Sequence, residues 1–120
     1  NIGAQVKGFL KSLARDHLAQ ASDHYAQRIG HSYQGLRLRD TRSRWGSCSS
    51  DGHLMYSWRL VMAPRDVLNY VAAHEVAHLV EMNHSKSFWA VVQDIYGDYG
   101  PPRDWLRTSG NQLHRYDFNS

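Results

Sequence analysis

Several features that mark other classes of protein are missing from this 120-residue chain. It has one cysteine, Cys48, which excludes an internal disulfide and favours a reducing, cytoplasmic location. No apolar run is long enough to span a bilayer, so we expect no membrane partner, and no signal-peptide pattern opens the chain. The first residue is Asn1 rather than Met, so we expect a processed product or an excised piece of a longer protein.

The composition is that of a globular domain. The chain is 42% hydrophobic and 21% charged, with no repeats or low-complexity tracts, and its length suits a single domain, residues 1–120, with a sizeable core. The first sixty residues carry nine lysines and arginines against four aspartates, whereas the last sixty carry five against seven acidic residues. The positive charge is therefore concentrated in the first half.

Glutamate is scarce, and both of its occurrences fall within residues 74–84, which read His-Glu-Val-Ala-His-Leu-Val-Glu-Met-Asn-His. His74 and His78 are four apart, so on a helix they lie on one face, one turn apart. Two imidazoles so placed can bind one zinc ion, and Glu75 beside them is positioned to act on a zinc-bound water. His84 is placed to be a third ligand. The segment predicts a metal-dependent hydrolase that holds one Zn²⁺.

The motif lies in a run that predicts a buried helix, from about Pro64 to Met82-Asn83, because apolar residues cover nearly its whole circumference. On one straight helix His74 and His84 would lie about 15 Å apart, so a third-ligand role for His84 requires a break at 81–83. Carboxylates are the rival third ligands: Glu81, Asp94 and Asp98.

The rest of the chain predicts an α+β fold with a small three-stranded antiparallel sheet. We expect an N-terminal helix over 2–30, strands near 35–40, 43–48 and 53–60, a helix over 86–97 capped by Ser85, and a last helix from about 101–102. The buried stripe of the first helix is predicted to be Ile2, Val6, Phe9, Leu10, Leu13, Tyr25 and Ile29. Asp51-Gly52 is a turn signal between the last two strands, and one face of the third strand is predicted to carry Leu54, Tyr56, Trp58 and Leu60.

Four arginines crowd the short stretch 37–44. Such a cluster is found where proteins bind phosphate or nucleic acid. Here Arg37 and Arg39 alternate with Leu36 and Leu38, which favours the solvated face of a strand over a nucleic-acid footprint.

Several motifs recur together in this chain, namely Arg44-Trp-Gly-Ser-Cys48, Ser57-Trp-Arg-Leu60, Ala63-Pro64, Tyr70, the His74–His84 segment and Asn83-His-Ser85 with Phe88-Trp89. In this order they resemble the YgjP-like metallopeptidase domain (also called DUF45), which is similar to the SprT-like and WLM zinc proteases. The resemblance covers about residues 40–106. It implies a compact zincin-like fold, zinc on His74, His78 and His84, and Glu75 as catalytic base. Family members are usually longer, which implies that this chain is a catalytic fragment.

The resulting expectation is a monomeric zinc metallopeptidase that hydrolyses peptides or unfolded proteins through a Glu75-activated, zinc-bound water. We expect strand 53–60 to bind substrate backbone by β-addition, and Trp45 and Cys48 to pack the sheet against the metal helix. Side chains that are candidates for contacting substrate or stabilising the oxyanion are Arg44, Ser57, Arg59, Tyr96 and Tyr99.

Three other functions remain open at this stage. The arginines leave room for a metal-dependent hydrolase of a non-peptide substrate such as a nucleotide, or for a DNA-associated protease. A metal-stabilised binding module without turnover is the third, and the presence of Glu75 argues against it, because a structural zinc needs no base.

Overall fold

The structure, a computed structural model, describes residues 1–118 and confirms the α+β fold. Its elements, in chain order, are α1 (Ile2–Ile29), β1 (Gly35–Arg39), β2 (Gly46–Cys48), β3 (His53–Ser57), a first 3₁₀ helix (Trp58–Met62), α2 (Arg65–Ala77), α3 (Lys86–Tyr96), α4 (Gly100–Ser109) and a second 3₁₀ helix (Gly110–His114). Among the helices of residues 1–118, none combines the length and hydrophobicity needed to cross a bilayer.

Helix α1 has a defined cap at each end. The Asn1 side chain accepts a hydrogen bond from the backbone N–H of Ala4 at 2.7 Å, and Gly30 ends the helix with φ of 69°, a conformation that glycine adopts without strain. The buried residues lie in its second half: Ala14, Leu18, Ala21, Ser22, Tyr25 and Ala26. The predicted buried stripe is wrong at its N-terminal end, where the helix extends beyond the core and leaves three members exposed: Ile2, Val6 and Phe9.

The sheet is mixed, so the prediction of a purely antiparallel sheet is wrong. Strand β3 lies in the centre, paired in parallel with β1, where Gly35 is opposite His53, and antiparallel with β2, where Ser47 is opposite Met55. Parallel strands need a long connection, and the segment between β1 and β3 provides it. This segment contains β2, which pairs with the edge of β3 opposite to β1. The predicted turn at Asp51-Gly52 does join β2 to β3, and its glycine has φ of 88°.

Strand β3 ends at Ser57, three residues earlier than predicted. The Ser57 hydroxyl accepts a hydrogen bond from the backbone N–H of Arg59 at 3.3 Å and caps the 3₁₀ helix that follows. The alternation predicted for residues 53–60 is therefore wrong beyond this point, because Trp58, Arg59 and Leu60 are all buried.

The core lies between one face of the sheet and the helices. Leu54 and Tyr56 of β3 point into it, where the Tyr56 hydroxyl and the Ser22 hydroxyl of α1 hydrogen-bond at 2.9 Å. Helix α3 is capped as predicted, since the Ser85 hydroxyl accepts from the N–H of Phe88. This packing holds α2 against the sheet. On the opposite face of the sheet the side chains of Arg37 and Arg39 are exposed, and Met55 of the central strand is buried.

Arg59 is a buried cation with a complete set of partners. Its Nε donates to the Asp40 carboxylate at 2.7 Å, and its Nη1 donates to the carbonyls of Leu113 and Tyr116, both at 2.9 Å. The guanidinium also lies 4.6 Å from the centre of the Trp58 ring. These bonds tie the C-terminal segment to the end of β1, and they hold the pKa of the Asp40 carboxyl below its ordinary value.

We expect Asp40→Ala to lower the free energy of unfolding by about 1–2 kcal/mol, because it leaves a buried guanidinium without its carboxylate. The difference in unfolding free energy between wild type and variant should be largest above pH 4–5, which is about the pKa of Asp in the unfolded chain. It should shrink as the pH falls through the lowered pKa of Asp40 in the folded protein. Urea denaturation at several pH values measures it. Asp104→Ala is the control, because the Asp104–Arg107 pair is exposed and should contribute under about 0.5 kcal/mol; equal losses would contradict the assignment.

Candidate metal centre

Helix α2 ends earlier than the sequence indicates, and this shapes the site. The prediction placed its end near residues 82–83, but the helix stops at Ala77 and His78 is its C-cap. Tight i→i+3 bonds follow, from the N–H of Leu79 to the carbonyl of Val76 at 2.9 Å and onward through the turn. The His78 ring also bonds through Nδ1 to the carbonyl of Glu81 at 2.9 Å, so the chain turns sharply and returns towards the helix.

Because of this turn, three imidazoles converge. One ring nitrogen from each of His74, His78 and His84 lies within 4.8 Å of the others, and the Nε2 atoms of His74 and His84 are 3.2 Å apart. Two nitrogens on a tetrahedral zinc, each at about 2.0–2.1 Å from it, would be separated by about 3.3 Å. The three side chains therefore fit one metal ion. Within residues 1–118 no rival carboxylate joins the group, whether Glu81, Asp94 or Asp98.

In His74 and His78, the ring nitrogen Nδ1 already has a hydrogen-bond partner. Nδ1 of His74 is 3.1 Å from the Tyr70 hydroxyl, and Nδ1 of His78 donates to the Glu81 carbonyl. A carbonyl only accepts, so His78 carries its proton on Nδ1 and presents a lone pair at Nε2. Such partners fix ring orientation and tautomer in metal sites. The Phe88 ring stacks on His78 at 4.4 Å between centroids and adds to that restraint.

Burial favours the neutral form of His74 and His78. Burial is the largest cause lowering the pKa of His74, to about 3, and the neighbouring rings of His78 and His84 lower it further. Burial also lowers the pKa of His78, against a smaller opposing effect of its bond to Glu81. Neutral imidazole is the form that binds a metal, so these two rings are in the state that ligation requires.

Glu75 is buried beside the triad, with 6% of its surface exposed, and it packs against β2. Burial raises the pKa of its carboxyl to about 8, and the positive charge of Arg44 works against that rise. A β-carbon added at Gly46 would lie 2.9 Å from Glu75 Cγ and 3.1 Å from the Met55 carbonyl oxygen. The glycine is therefore required by space, since any side chain there would displace the carboxylate.

We expect Gly46→Ala to displace the Glu75 carboxylate and to reduce metal-dependent hydrolysis by at least tenfold at saturating metal, because a displacement of about 1 Å at a reaction site costs about 10²-fold. Overpacking should also cost about 1–3 kcal/mol of stability. Steady-state kinetics and thermal denaturation measure the two effects. Gly8→Ala serves as control, because nothing lies within 4 Å of a β-carbon there; full activity in Gly46→Ala would show that the close contact is unimportant.

A pocket of about 460 Å³ opens over the triad. Its walls come from β2 and the residues before it, from α2, from the turn after α2 and from α4. The lining residues are Arg44, Trp45, Gly46, Ser47, Cys48, Tyr70, Val71, His74, Glu75, His78, Met82, His84, Arg103 and Leu106. The pocket thus joins the three histidines, Glu75 and two arginines in one cleft.

Only one of the candidate substrate contacts from the sequence lines this pocket, and it is Arg44. Ser57 and Arg59 are buried elsewhere and serve the fold, as described above. The Tyr96 hydroxyl donates to the backbone carbonyl of Asp66 at 3.0 Å, outside the pocket. Tyr99 packs on the rings of Tyr70 and Trp89 and does not line the pocket either. Trp45 and Cys48 are partly buried and pack against the core, and the Trp45 ring stacks on His114.

The pocket also contains Tyr70 and Arg103, to which the sequence analysis gave no role in the site. Tyr70 precedes His74 by four residues, so helical spacing alone places them on one face and predicts their contact. Arg103 belongs to α4, where its guanidinium lies 4.3 Å from the centre of the Trp89 ring. No local pattern indicates Arg103, because only the packing of α4 brings it to the cleft.

Comparison with known proteins identifies the family. The YgjP-like metallopeptidase domain matches residues 1–109, so the chain belongs to that family and is a metal-dependent peptidase. The crystal structure of the metallopeptidase zymogen of Pyrococcus abyssi abylysin has a similar fold, with a TM-score of 0.66 and 19% sequence identity over 81% of this chain and 95% of that one. No curated protein shows significant similarity.

Proposed function

We propose that this domain is a zinc peptidase in which His74, His78 and His84 hold the metal ion and Glu75 is the general base. The convergence of three imidazoles carries the proposal. Nitrogen ligands of this kind suit zinc, and three protein ligands leave a position for water, as catalytic zinc sites require. When bound, the zinc supplies Lewis-acid chemistry, which acidifies water and polarises a peptide carbonyl.

The residues of the chain then have separate tasks. The charge of a bound zinc ion would lower the raised pKa of Glu75, and the carboxylate would then accept the proton of the attacking water and pass it to the leaving amine. The Tyr70 hydroxyl and the Glu81 carbonyl orient the rings of His74 and His78, and Gly46 keeps the space that the Glu75 carboxylate occupies. Arg44 lies beside Glu75 and is the sequence candidate that remains for contacting substrate.

The edge of β2 is the place for the substrate backbone. The prediction that strand β3 binds the substrate is wrong, because β3 is the central strand and both of its edges are already paired. Just before and just after β2, the Trp45 carbonyl accepts from the N–H of Ser57 and the Ser49 N–H donates to the carbonyl of His53. By alternation, the backbone groups of Gly46 and Cys48 point to the unpaired side, where an extended peptide can add as a further strand. Gly46 lies against Glu75, so that strand would pass the reacting groups.

Peptide hydrolysis that depends on metal is the expected result of the direct test. The protein loaded with zinc should cleave a panel of peptides and denatured proteins, lose activity with a chelator and regain it when zinc is added, because the three histidines must be filled. Cleavage products are followed by mass spectrometry. A parallel panel of nucleoside phosphates tests the alternative of a non-peptide hydrolase, and activity on that panel without any peptide cleavage would refute the proposal. Cytoplasmic location and a monomeric state stay predictions.

A further inference from the structure

The face of the sheet that lies away from the core, called here the solvent face, forms a second concave surface beside the metal centre. Register places Arg37 of β1 and Ser47 of β2 on either side of Met55, so the three share one face. The other face, with Leu54, packs on the core. The groove on the solvent face has a volume of about 830 Å³ and is lined by Gly35, Leu36, Arg37, Arg39, Thr41, Arg44, Ser47, Cys48, Ser49, His53, Leu54 and Met55.

This groove is strongly basic. Arg37, Arg39 and Arg44 line it with exposed side chains, and none of the three forms an ion pair with another of residues 1–118. No aspartate or glutamate is among the lining residues. His53 adds a fourth basic group, and it is 3.2 Å from the exposed carboxylate of Asp51. Three unpaired guanidiniums in one concave surface favour an anionic partner.

The basic groove is continuous with the metal-binding pocket. Arg44, Ser47 and Cys48 line both. A peptide added along the free edge of β2 would direct alternate side chains to the two faces of the sheet, half towards the histidines and half towards the groove. A peptide added outside β2 would lie three strand spacings, about 14 Å, from β1, so the long side chains of Arg37 and Arg39 and those of substrate glutamates extend towards each other across the groove.

We infer that this groove, named here the basic sheet face (Arg37, Arg39, Arg44 and His53), binds acidic side chains of an extended polypeptide substrate. The inference rests on the proposed peptidase function, because it takes β2 as the strand that holds the substrate. The enzyme would accordingly prefer substrates with glutamate or aspartate at alternate positions near the cleaved bond.

A polypeptide suits the surface better than a nucleic acid. Proteins that bind single strands stack the bases on aromatic side chains, and no aromatic residue lines this groove. The free backbone groups of Gly46 and Cys48 also offer hydrogen bonds with peptide spacing along the same edge. Positive charge alone would attract either polymer, and these two features favour the polypeptide.

Fluorescence anisotropy tests the inference without relying on turnover. The probes are a glutamate-rich peptide, its counterpart with glutamine at every glutamate, and a single-stranded oligonucleotide of similar charge, each titrated with zinc-loaded Glu75→Gln protein and with metal-free wild type. We expect the acidic peptide to bind at least about tenfold tighter than the neutral one at low salt, with the advantage shrinking as salt is added. Arg37→Gln/Arg39→Gln should reduce the ratio below about threefold.

The control is Lys11→Gln/Arg115→Gln, which removes the same charge from exposed positions outside the groove and should keep the ratio. Equal binding of both peptides, an equal effect of the control variant, or tighter binding of the oligonucleotide would each overturn the inference. The two proposals can fail separately: cleavage of acidic and neutral peptides without preference would leave the peptidase function intact, whereas selective binding of the acidic peptide without cleavage would refute the peptidase function alone.

Discussion

Replacing Glu75 with glutamine should lower kcat for peptide hydrolysis by about 10²–10⁴-fold, the usual contribution of a general base. Glutamine has nearly the same shape as glutamate and keeps an acceptor oxygen, so the cleft next to Gly46 should stay intact. It cannot take a proton from water at neutral pH, and the loss should therefore appear in kcat. Metal content, measured by mass spectrometry of the purified protein, should match wild type, because Glu75 is not one of the three converging ligands.

Glu81→Gln is a matched control, since the chain has only these two glutamates and they lie in the same segment. The bond that Glu81 makes to His78 comes from its backbone carbonyl, which the substitution leaves in place. We expect its activity within about twofold of wild type, as for a surface change away from the reacting groups. Full activity of Glu75→Gln with normal metal content would show that another group is the base.

The second large effect concerns His84. We expect His84→Ala to weaken zinc binding by at least about 100-fold, because loss of even an outer partner of a metal ligand costs about 10–100-fold. The residue is exposed and follows the turn after α2, so the fold of the metal-free protein should be unaffected. Competition with a zinc chelator measures the affinity, and circular dichroism checks the fold. The loss should be seen in binding itself, independent of any substrate.

His31→Ala provides the comparison, because His31 is an exposed histidine after α1, outside the triad. It should leave zinc affinity unchanged. The same assay decides between His84 and the carboxylates that the sequence left open. If Asp94→Ala or Asp98→Ala weakens zinc binding while His84→Ala does not, the third ligand is acidic and the histidine triad is wrong.

The local sequence was a good guide to which histidines converge but a poor one to where the helix that carries them ends. Spacing of four residues on a helix is enough to bring His74 and His78 together, and the need for a turn before His84 follows from the rise per residue. The position of that turn was misjudged by about five residues. The apolar run continues through Leu79 and Val80, so nothing in its pattern marks Ala77 as the last helical residue. The bond from His78 to the Glu81 carbonyl stabilises the turn, and only the folded chain shows it.

In the sheet, the local turn was predicted correctly, whereas the long-range strand pairing was not. The hairpin between β2 and β3 was predicted from Asp51-Gly52, since a glycine turn between two strands is a short-range signal. The parallel pairing of β1 was missed, because no local pattern records which side of β3 a distant strand occupies. That pairing makes β3 central, which is why we propose β2 as the substrate strand. The alternation of Arg37 and Arg39 was interpreted correctly as a solvated strand face. The local sequence gave no indication that this face adjoins the metal-binding pocket.

Chemistry that resides in one segment could be inferred from residue order, because a helix sets the geometry of neighbours three or four residues apart. The likeness to the YgjP-like family, the α+β fold and the candidate metal ligands all follow from such segments. Tertiary packing decided the rest: α4 brought Arg103 to the pocket, β2 brought Gly46 onto Glu75, and the sheet arranged three arginines into one basic face. These contacts join segments far apart in the chain, so they depend on how whole elements pack and leave no signature in any single stretch of sequence.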